Sequence, residues 1–411
     1  MRATSRKIAY KWELIGLLWL SFFLNQGDRQ VYNVVIPLIK TDLKLTDIQI
    51  GLVSTIFTLI YGILVPFAGY AGDAIKKNKL VIGSLLVFSA GTTFTGLSSG
   101  LFLLIVFRSV STGMGEAFYY PAANSLIGEF HQKTRAQAMA IHQTALYIGI
   151  VASGFIAGYI GERFGWRVAF LSFGLLGVAW VVLLIFRLKE PATFNPGKSS
   201  IPFREVFSYV KTKPTLLMLS VAFGCFQFAV VGYLTWMPTY LHDRFGLSLG
   251  NAGFSSVFYN NLFAVIGVLL GGRLSDRISR KRVQFRMEIE YLSLLIGAPF
   301  FYWMGVSGSL PVMIVALSGL GLFRGIYDSN LFAALFDVIE PKYRSSATGF
   351  MLSIGFIISS LSPVLLGWIK ERSGLSFGFS ILGLAFILSA VVVFVNMKVF
   401  FKRDLIREES F

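Results

Sequence analysis

The stretch SFFLNQGDRQVYNVVIP, residues 21–37, places an acid and a base inside an apolar segment long enough to cross a bilayer. Asp28 and Arg29 lie near its middle, where a charged side chain costs about 2.5–3.5 kcal/mol on insertion scales. The helical period aligns Asn25, Arg29 and Tyr32 along one stripe, with Asp28 beside it. We therefore expect this stripe to face the interior of a helix bundle. The alternative is a buried Asp–Arg pair that only fixes helix packing.

The composition of the 411-residue chain is typical of a polytopic membrane protein, because 55% of its residues are hydrophobic and only 14% are charged. The net charge of +16 does not indicate nucleic-acid binding, since the lysines and arginines are concentrated in short loops between apolar segments. The single cysteine, Cys225, excludes an internal disulfide framework and a thiolate metal cluster. The first residues show no signal-peptide cleavage pattern, so we expect no removed leader.

Apolar runs of about 20 residues, the length that spans a hydrocarbon core, recur along the whole chain. They predict an all-α membrane protein with twelve transmembrane helices. The predicted bounds are 12–37, 47–72, 80–98, 101–126, 136–162, 166–187, 214–241, 248–275, 285–305, 309–337, 345–370 and 376–401.

The longest loop is rich in proline, glycine and serine, and it predicts a linker at residues 188–213. This linker divides the chain into two six-helix halves, residues 1–187 and 214–411. Lysines and arginines are concentrated in the loops on the side that carries both termini. The positive-inside rule therefore predicts a cell-membrane protein with both termini in the cytoplasm.

The two halves contain similar segments at corresponding places. GYAGDAIKKNKL, residues 69–80, follows the second predicted helix, and GRLSDRISRKRV, residues 272–283, follows the eighth. Asp73 and Asp276 occupy matching positions in these segments. Internal repeats of this kind build many secondary transporters, whose ligand site lies between the halves near the bilayer midplane.

With these repeats the chain resembles the major facilitator superfamily along its whole length. The second copy, with Asp276 and Arg277, matches the signature loop of that family closely, whereas Ala74 and Lys76 replace its usual arginine and glycine in the first copy. In this loop an aspartate at a helix end pairs with an arginine across the cytoplasmic seam. The resemblance thus implies gating roles for Asp73, Asp276 and Arg277.

Three further stretches resemble the anion:cation symporter branch, which moves sugar acids and other organic anions with protons: GDR at 27–29, GEAFYYPAAN at 115–124 and TWMPTYL at 235–241. The first two also resemble the Spinster branch of lipid-type transporters. In one departure, Arg108 precedes Gly113 by five residues where the family pattern has four. We therefore expect Arg108 to face a somewhat different direction than in the family.

Three predicted helices bring ionisable residues into the apolar interior, namely Asp28 and Arg29, Arg108 and Glu116, and Arg324 and Asp328. Arginine stays protonated and offers a planar fork to carboxylates, whereas a buried carboxylic acid is suited to carrying a proton. The resemblance assigns proton coupling to Asp28 and Glu116 and anion binding to Arg29. Arg108 is either a second ligand or a structural anchor, and Arg324–Asp328 is either part of the site or a fixed intrahelical pair.

Sugar hydroxyls need hydrogen-bonding groups, and sugar ring faces stack on aromatic side chains. The predicted substrate-binding residues are therefore Arg29, Tyr32, Arg108, Tyr119, Tyr120, Gln143, Trp236, Asn260, Asn261, Arg324 and Asp328. The alternative is that the polar residues among them only join helices.

Together these features predict a monomeric proton-coupled symporter in the lipid bilayer that imports a small organic anion, such as a hexuronate, an aldonate or sialic acid, by alternating access. Sodium remains an alternative to the proton, since carboxylates and hydroxyls also ligate that ion. One alternative function is a Spinster-like transporter of lysolipids or sphingolipids; another is a transceptor or structural membrane protein. We predict no cofactor, no metal and no nucleic-acid partner, and no nucleophile–base constellation indicates an enzyme.

Overall fold

The computed structural model describes residues 10–191 and 203–406, and these residues form helices and turns without a β-strand. The principal helices are α1 (Tyr10–Leu43), α2 (Asp47–Ala74), α3 (Lys77–Thr95), α4 (Leu101–Phe130), α5 (Arg135–Phe164), α6 (Trp166–Arg187), α7 (Pro214–Phe245), α8 (Leu249–Ser279), α9 (Phe285–Val306), α10 (Leu310–Phe336), α11 (Arg344–Ser359) and α12 (Leu361–Val399). The predicted linker contains a short helix, Phe203–Lys211, which we call the linker helix.

Nine stretches of the described residues are long and apolar enough to cross a membrane. One of them, Pro341–Val399, contains two spans, one before and one after Gly374. They are divided there because the backbone of Gly374 (φ 80°) leaves the helical conformation inside α12. Glycine tolerates such a positive φ without steric cost. The polar α1 and the short α3 complete the set of twelve. The predicted all-α fold with twelve spanning helices is thus confirmed.

Local sequence signals set several helix ends. Thr46 Oγ1 accepts a hydrogen bond from the Gln49 amide (3.2 Å), and Gln49 Oε1 accepts one from the Thr46 amide (3.0 Å). This reciprocal capping box satisfies two amides at the start of α2. At the end of α7, Gly246 adopts the left-handed conformation (φ 63°) that commonly terminates helices.

The helices pack mainly with others from the same part of the chain. In the first half α1 packs against α5, and α3 packs against α4 and α6. In the second half α8 packs against α10, and α9 packs against α10 and α12. This arrangement accords with the predicted halves, whose bounds remain a prediction.

The two halves meet near the helix ends that lie far from the termini. A Cβ atom on Gly154 of α5 would lie 2.9 Å from the carbonyl oxygen of Gly253 on α8, so the two backbones are in direct contact. The small residues on this face of α5 allow the close approach. Among the described residues, the hydrogen bonds and ion pairs that join the two halves all involve the part of α2 between Asp47 and Gly62. This part of α2 lies toward the end far from the termini. The cleft between the halves is therefore open toward the termini.

The predicted latch lies at this open end. Asp276 and Arg277 are exposed near the end of α8 and form no ion pair within residues 10–191 and 203–406. The side chain of Asp73 lies outside the described part of the structure. The gating roles of these three residues stay a prediction.

Candidate functional site

A cavity with charged and polar groups set in a largely apolar wall lies at the middle of the bundle, where α1, α2, α4 and α7 come together. Its lining combines cationic, amide, hydroxyl and aromatic groups with a few aliphatic side chains. The lining residues are Gln26, Arg29, Gln30, Tyr32, Asn33, Val53, Ser54, Phe57, Thr58, Tyr61, Arg108, Ile150, Val231, Leu234, Thr235 and Phe356. Both halves contribute to it, as expected for a site between the repeats.

Arg108 lies in a π-helical stretch of α4, Ile105–Ser111. A π-helical turn is wider than an α-helical one, so it takes up an additional residue. This stretch accounts for the five-residue spacing between Arg108 and Gly113. The guanidinium group contacts the ring faces of Phe57 (4.5 Å to the centroid) and Tyr32 (5.3 Å). Arg108 thus points into the cavity.

The guanidinium group of Arg108 is not satisfied by the described residues. Its side chain is only 3% exposed, and Nε and Nη1 have no hydrogen-bond partner among them. Buried guanidinium nitrogens without partners are costly, and a carboxylate matches their planar geometry. The arrangement therefore offers a position for an anion.

Arg29 is engaged differently, because its Nε forms an ion pair with Oε2 of Glu116. Its guanidinium group also lies over the rings of Tyr61 (4.4 Å) and Phe57 (5.3 Å). The Glu116 side chain is fully buried, and its Oε1 has no partner among the described atoms. Arg29 can bind an anion with both edges of its fork only when this pair is broken.

Asp28 lies behind the cavity wall rather than in it. It is 2% exposed, and the Thr92 hydroxyl lies near its carboxylate without forming a well-aligned hydrogen bond to either oxygen. It interacts electrostatically with Arg108 and Arg29. When Asp28 and Glu116 are both ionised, the two acids cancel the charges of the two arginines, and each proton taken up leaves one positive charge.

The α10 residues form a second polar cluster. Arg324 Nη1 donates to Asn260 Oδ1 (2.8 Å), and Arg324 Nε lies 3.4 Å from Asp328 Oδ2. Both charged side chains are partly exposed, and they interact electrostatically with Tyr147 of α5. None of these residues lines the central cavity in this conformation. The intrahelical Arg324–Asp328 pair is formed, facing across the cleft between the halves.

Two predicted residues of α4 point away from the cavity. Tyr119 is buried against α1, where its hydroxyl donates to the Leu18 carbonyl oxygen (2.6 Å). Tyr120 is 40% exposed, and its hydroxyl is 3.4 Å from Gln143 Oε1 on α5. Neither side chain lines the cavity that Arg108 enters.

Two further predicted residues lie elsewhere between the halves. The indole nitrogen of Trp236 donates to the Pro363 carbonyl oxygen (3.0 Å), and Lys370 Nζ lies over its ring (5.1 Å). Trp236 therefore belongs to the closed end of the molecule. Asn261 lines a second cavity between α5 and α8, which is largely apolar.

The sequence prediction named no residue of the second helix, although α2 supplies one wall of the cavity. Ser54, Thr58 and Tyr61 line it together with Phe57. Their spacing of four and three residues places them on one helical face. This polar face within an apolar helix is the signal by which the sequence could have identified them.

Comparison with known proteins adds three findings. The family model of the Major Facilitator Superfamily matches residues 18–363. The hexuronate transporter of Bacillus subtilis (strain 168) is 28% identical over 407 residues, covering 93% of this chain and 94% of that protein. The probable sulfoacetate transporter of Cupriavidus necator is 26% identical, covering 90% of this chain and 89% of that protein.

Among solved structures, the chain is similar to a bacterial homolog of the human lysosomal transporter Spinster in an inward-facing and unoccupied conformation. The TM-score is 0.85, the sequence identity is 22%, and the match covers 98% of this chain and 100% of the other. This likeness concerns the fold.

Proposed function

The chain belongs to the major facilitator superfamily, and from this we propose that it is a proton-coupled symporter that imports a small organic anion by alternating access. The family and the relatives named above are transporters, so the protein is a multi-pass membrane transporter and not an enzyme. The finer proposal rests on the charged groups at the cavity. The observation that carries it is the buried guanidinium group of Arg108, with two nitrogens that no described residue satisfies.

Arg108 provides the first contact for the anion. The rings of Phe57 and Tyr32 limit the contact of the Arg108 guanidinium group with water. An arriving carboxylate therefore supplies hydrogen bonds that Arg108 lacks and does not have to displace a strongly bound acceptor. A neutral solute of the same shape does not compensate the positive charge. We therefore assign selectivity for anions chiefly to this residue.

Glu116 and Asp28 couple the anion to protons. A proton on Glu116 removes the charge that holds Arg29, so the guanidinium group of Arg29 becomes available to the same carboxylate as Arg108. A proton on Asp28 removes the remaining negative charge next to Arg108. Proton uptake therefore increases the affinity for the anion, and anion binding increases the affinity for the proton. On the inside, where the proton activity is lower, the acids lose their protons and the anion is released.

The substrate we propose is a sugar acid such as a hexuronate, an aldonate or sialic acid. Hydroxyl groups of Ser54 and Thr58 and amide groups of Gln26, Gln30 and Asn33 line the cavity beside the arginines. This lining matches a molecule with one carboxylate and several hydroxyls. The name of the Bacillus subtilis relative, a hexuronate transporter, agrees with this class.

In the proposed orientation both termini lie in the cytoplasm of a cell-membrane protein that functions as a monomer. The cleft that opens toward the termini then represents an inward-open state. When the halves rock to the opposite state, the loops with Asp73, Asp276 and Arg277 approach one another and form the latch. The transport assay described below also distinguishes coupling to sodium from coupling to protons.

The experiment uses the full chain in proteoliposomes. We expect a proton gradient to drive accumulation of one or more labelled hexuronates, aldonates or sialic acid, but not of a neutral hexose. Glu116→Gln should keep exchange of labelled for unlabelled substrate while losing proton-driven accumulation, and Glu162→Gln, an exposed residue at the end of α5, is the control. Accumulation driven only by sodium, or proton-driven uptake that survives Glu116→Gln, contradicts the proposal.

A lysolipid or sphingolipid is the second candidate substrate, and the apolar cavity between α5 and α8 favours it. Phe155, Phe254, Phe258 and Leu262 line this cavity, whose volume is about 700 Å³. An acyl chain fits such a lining, whereas a sugar acid gains little from it. Competition of lysolipids with labelled hexuronate separates the two candidates.

A further inference from the structure

A buried carboxyl group lies well outside the central cavity, in the second half of the molecule. Glu290 on α9 has 0% exposure, and neither of its oxygens has a hydrogen-bond partner among the described residues. It also forms no ion pair with any of them. An ionised carboxylate is strongly disfavoured in such surroundings, so a proton is what neutralises this group.

The groups that act on Glu290 come from α9 and α10. Tyr327 on α10 is fully buried with an unpartnered hydroxyl, and Asp337 follows the end of the same helix. Both interact electrostatically with Glu290, and both are acidic groups, so neither compensates a negative charge there. Next to Glu290, Tyr291 packs against Phe394 of α12, which is apolar.

A cation, Arg286, lies one helical turn before Glu290 on α9. A spacing of four residues, about 6 Å along the axis, allows an ion pair on one helix face. In this conformation Arg286 Nη1 instead forms an ion pair with Asp337 Oδ1. Arg286 Nε and Asp337 Oδ2 are buried without partners in the described part of the chain. Arg286 therefore bridges to Asp337 and keeps one donor, Nε, without a partner among the described residues.

The internal repeat shows that the fold itself does not need a carboxyl group here. In the first half Lys77, at the start of α3, pairs with Glu129 near the end of α4, as Arg286 pairs with Asp337. The residue four positions after Lys77 is Val81, which is 0% exposed. An apolar side chain thus fills the equivalent place in the first half, and the acid in the second half needs another explanation.

We propose that Glu290 is a second proton-binding site of the transport cycle and that Arg286 exchanges partners as this site loads and unloads. In the loaded state Glu290 is a neutral acid and Arg286 is bound to Asp337. On unloading, the O–H bond of Glu290 breaks, the proton passes to water at the open end, and the new carboxylate takes the free donor of Arg286. This inference rests on the proposed function, since it adds a proton to the same cycle.

Tyr327 provides the link to the cleft. It precedes Asp328 in the chain and interacts electrostatically with both Glu290 and Asp328. Asp328 in turn is partly exposed in the cleft between the halves.

The test compares wild type with Glu290→Gln in proteoliposomes whose membrane potential is clamped at zero. Each coupled proton multiplies the accumulation ratio by about ten for one unit of pH gradient. We expect Glu290→Gln to exchange substrate at a near-normal rate while its plateau of hexuronate accumulation falls about tenfold. Glu288→Gln, two residues away and paired with Arg282 outside this cluster, is the matched control and should keep the full plateau.

The outcomes separate this inference from the proposed function. A wild type without proton-driven accumulation contradicts the proposed function itself. A wild type that accumulates, with an equal plateau in Glu290→Gln, overturns the role of Glu290. Infrared spectra of the purified protein give a second measurement: a protonated carboxyl band that titrates with pH should be missing in Glu290→Gln. A variant that fails to fold, or a band that does not change, shows a structural acid and overturns the proposal.

Discussion

Arg108 and Arg29 contact the same phenylalanine, Phe57, yet among the described residues only Arg29 forms a direct ion pair. Arg29 is held by Glu116, whereas Arg108 keeps two nitrogens unpaired. A protein that only needed to bury these charges would pair both, because an unsatisfied charged group in the interior is costly. In the proposed cycle, Arg108 is the permanent anion site and Arg29 is the one that protonation opens.

Replacing Arg108 with glutamine tests this difference. Removing one partner of a buried charge pair costs about 2–5 kcal/mol, so we expect the Kd of the anion to rise by at least about 30-fold. Arg163→Gln, at the end of α5, changes a cation that lies over Tyr159 outside the cavity and serves as the control. Kd is measured by isothermal calorimetry in detergent. An unchanged Kd means that Arg29 alone binds the substrate.

Single elements also show how the fold creates the site. The π-helical stretch of α4 turns Arg108 into the cavity, and α5 supplies the glycines against which α8 packs. The linker helix docks on the second half, where Glu205 accepts hydrogen bonds from Lys342 Nζ and Tyr343 Oη, both at 2.7 Å. The α5–α8 contact thus joins the two halves, and the linker helix is held on the second half.

Gly158 is the position on α5 where an added methyl group has the least room. A Cβ atom there would overlap the backbone of Leu249 and Gly250 on α8. We expect Gly158→Ala to disfavour the conformation described here and to increase the distance between spin labels on the far ends of α5 and α8. In Gly83→Ala the new Cβ meets nothing within 4 Å, so the distances should stay those of the wild type.

The docking of the linker helix should depend on pH. The hydrogen bond from Lys342, with that from Tyr343, lowers the pKa of Glu205 below its ordinary value. A lowered pKa in the docked state means that docking is favoured above the ordinary glutamate pKa and loses this contribution as the pH falls through the lowered one. We expect faster proteolysis at Lys211 on acidification, and Glu205→Gln should remove this dependence. A rate that still changes with pH in Glu205→Gln, after correction for the protease, contradicts this account.

At the scale of the whole molecule, the closed end is held by charges as well as by glycines. Asp47 at the start of α2 contacts Lys40 Nζ (2.7 Å) and Lys370 Nζ (3.1 Å), and Lys370 also lies 3.7 Å from Asp243. Lys370 therefore joins α12 to α2 and α7. Alternating access requires these contacts to break when the cleft closes at the other end.

Lys370→Ala should shift the population toward the state that is open at this end. The expected change is about tenfold, equivalent to about 1.4 kcal/mol, because the ion pairs of Lys370 with Asp47 and Asp243 are lost. Distances between labels at both ends of the molecule measure the two populations. Arg372→Ala, whose side chain lies over Trp368 on its own helix, is the matched control. Equal populations in both variants mean that the glycine contacts alone close this end.

The sequence by itself determined the membrane class, the twelve spans and the position of the charged stripe on α1. These follow from apolar length and from the cost of charges in lipid, both of which are properties of a single segment. It also placed Arg29, Tyr32 and Arg108 in one site, and the structure brings these three to the same cavity. The roles of Asp28 and Glu116 in proton coupling remain predictions.

Only the tertiary structure decided which of the other candidates reach the cavity. Tyr119 and Trp236 bind backbone carbonyl groups elsewhere, and the wall formed by Ser54, Thr58 and Tyr61 was not predicted. The pairing of Arg29 with Glu116 depends likewise on how distant helices pack. So does the absence of hydrogen-bond partners, among the described residues, for two Arg108 nitrogens and for the Glu290 carboxyl group. The physical reason is that a helical period tells which residues share a face, whereas the helix that this face meets is set by contacts between segments far apart in the chain.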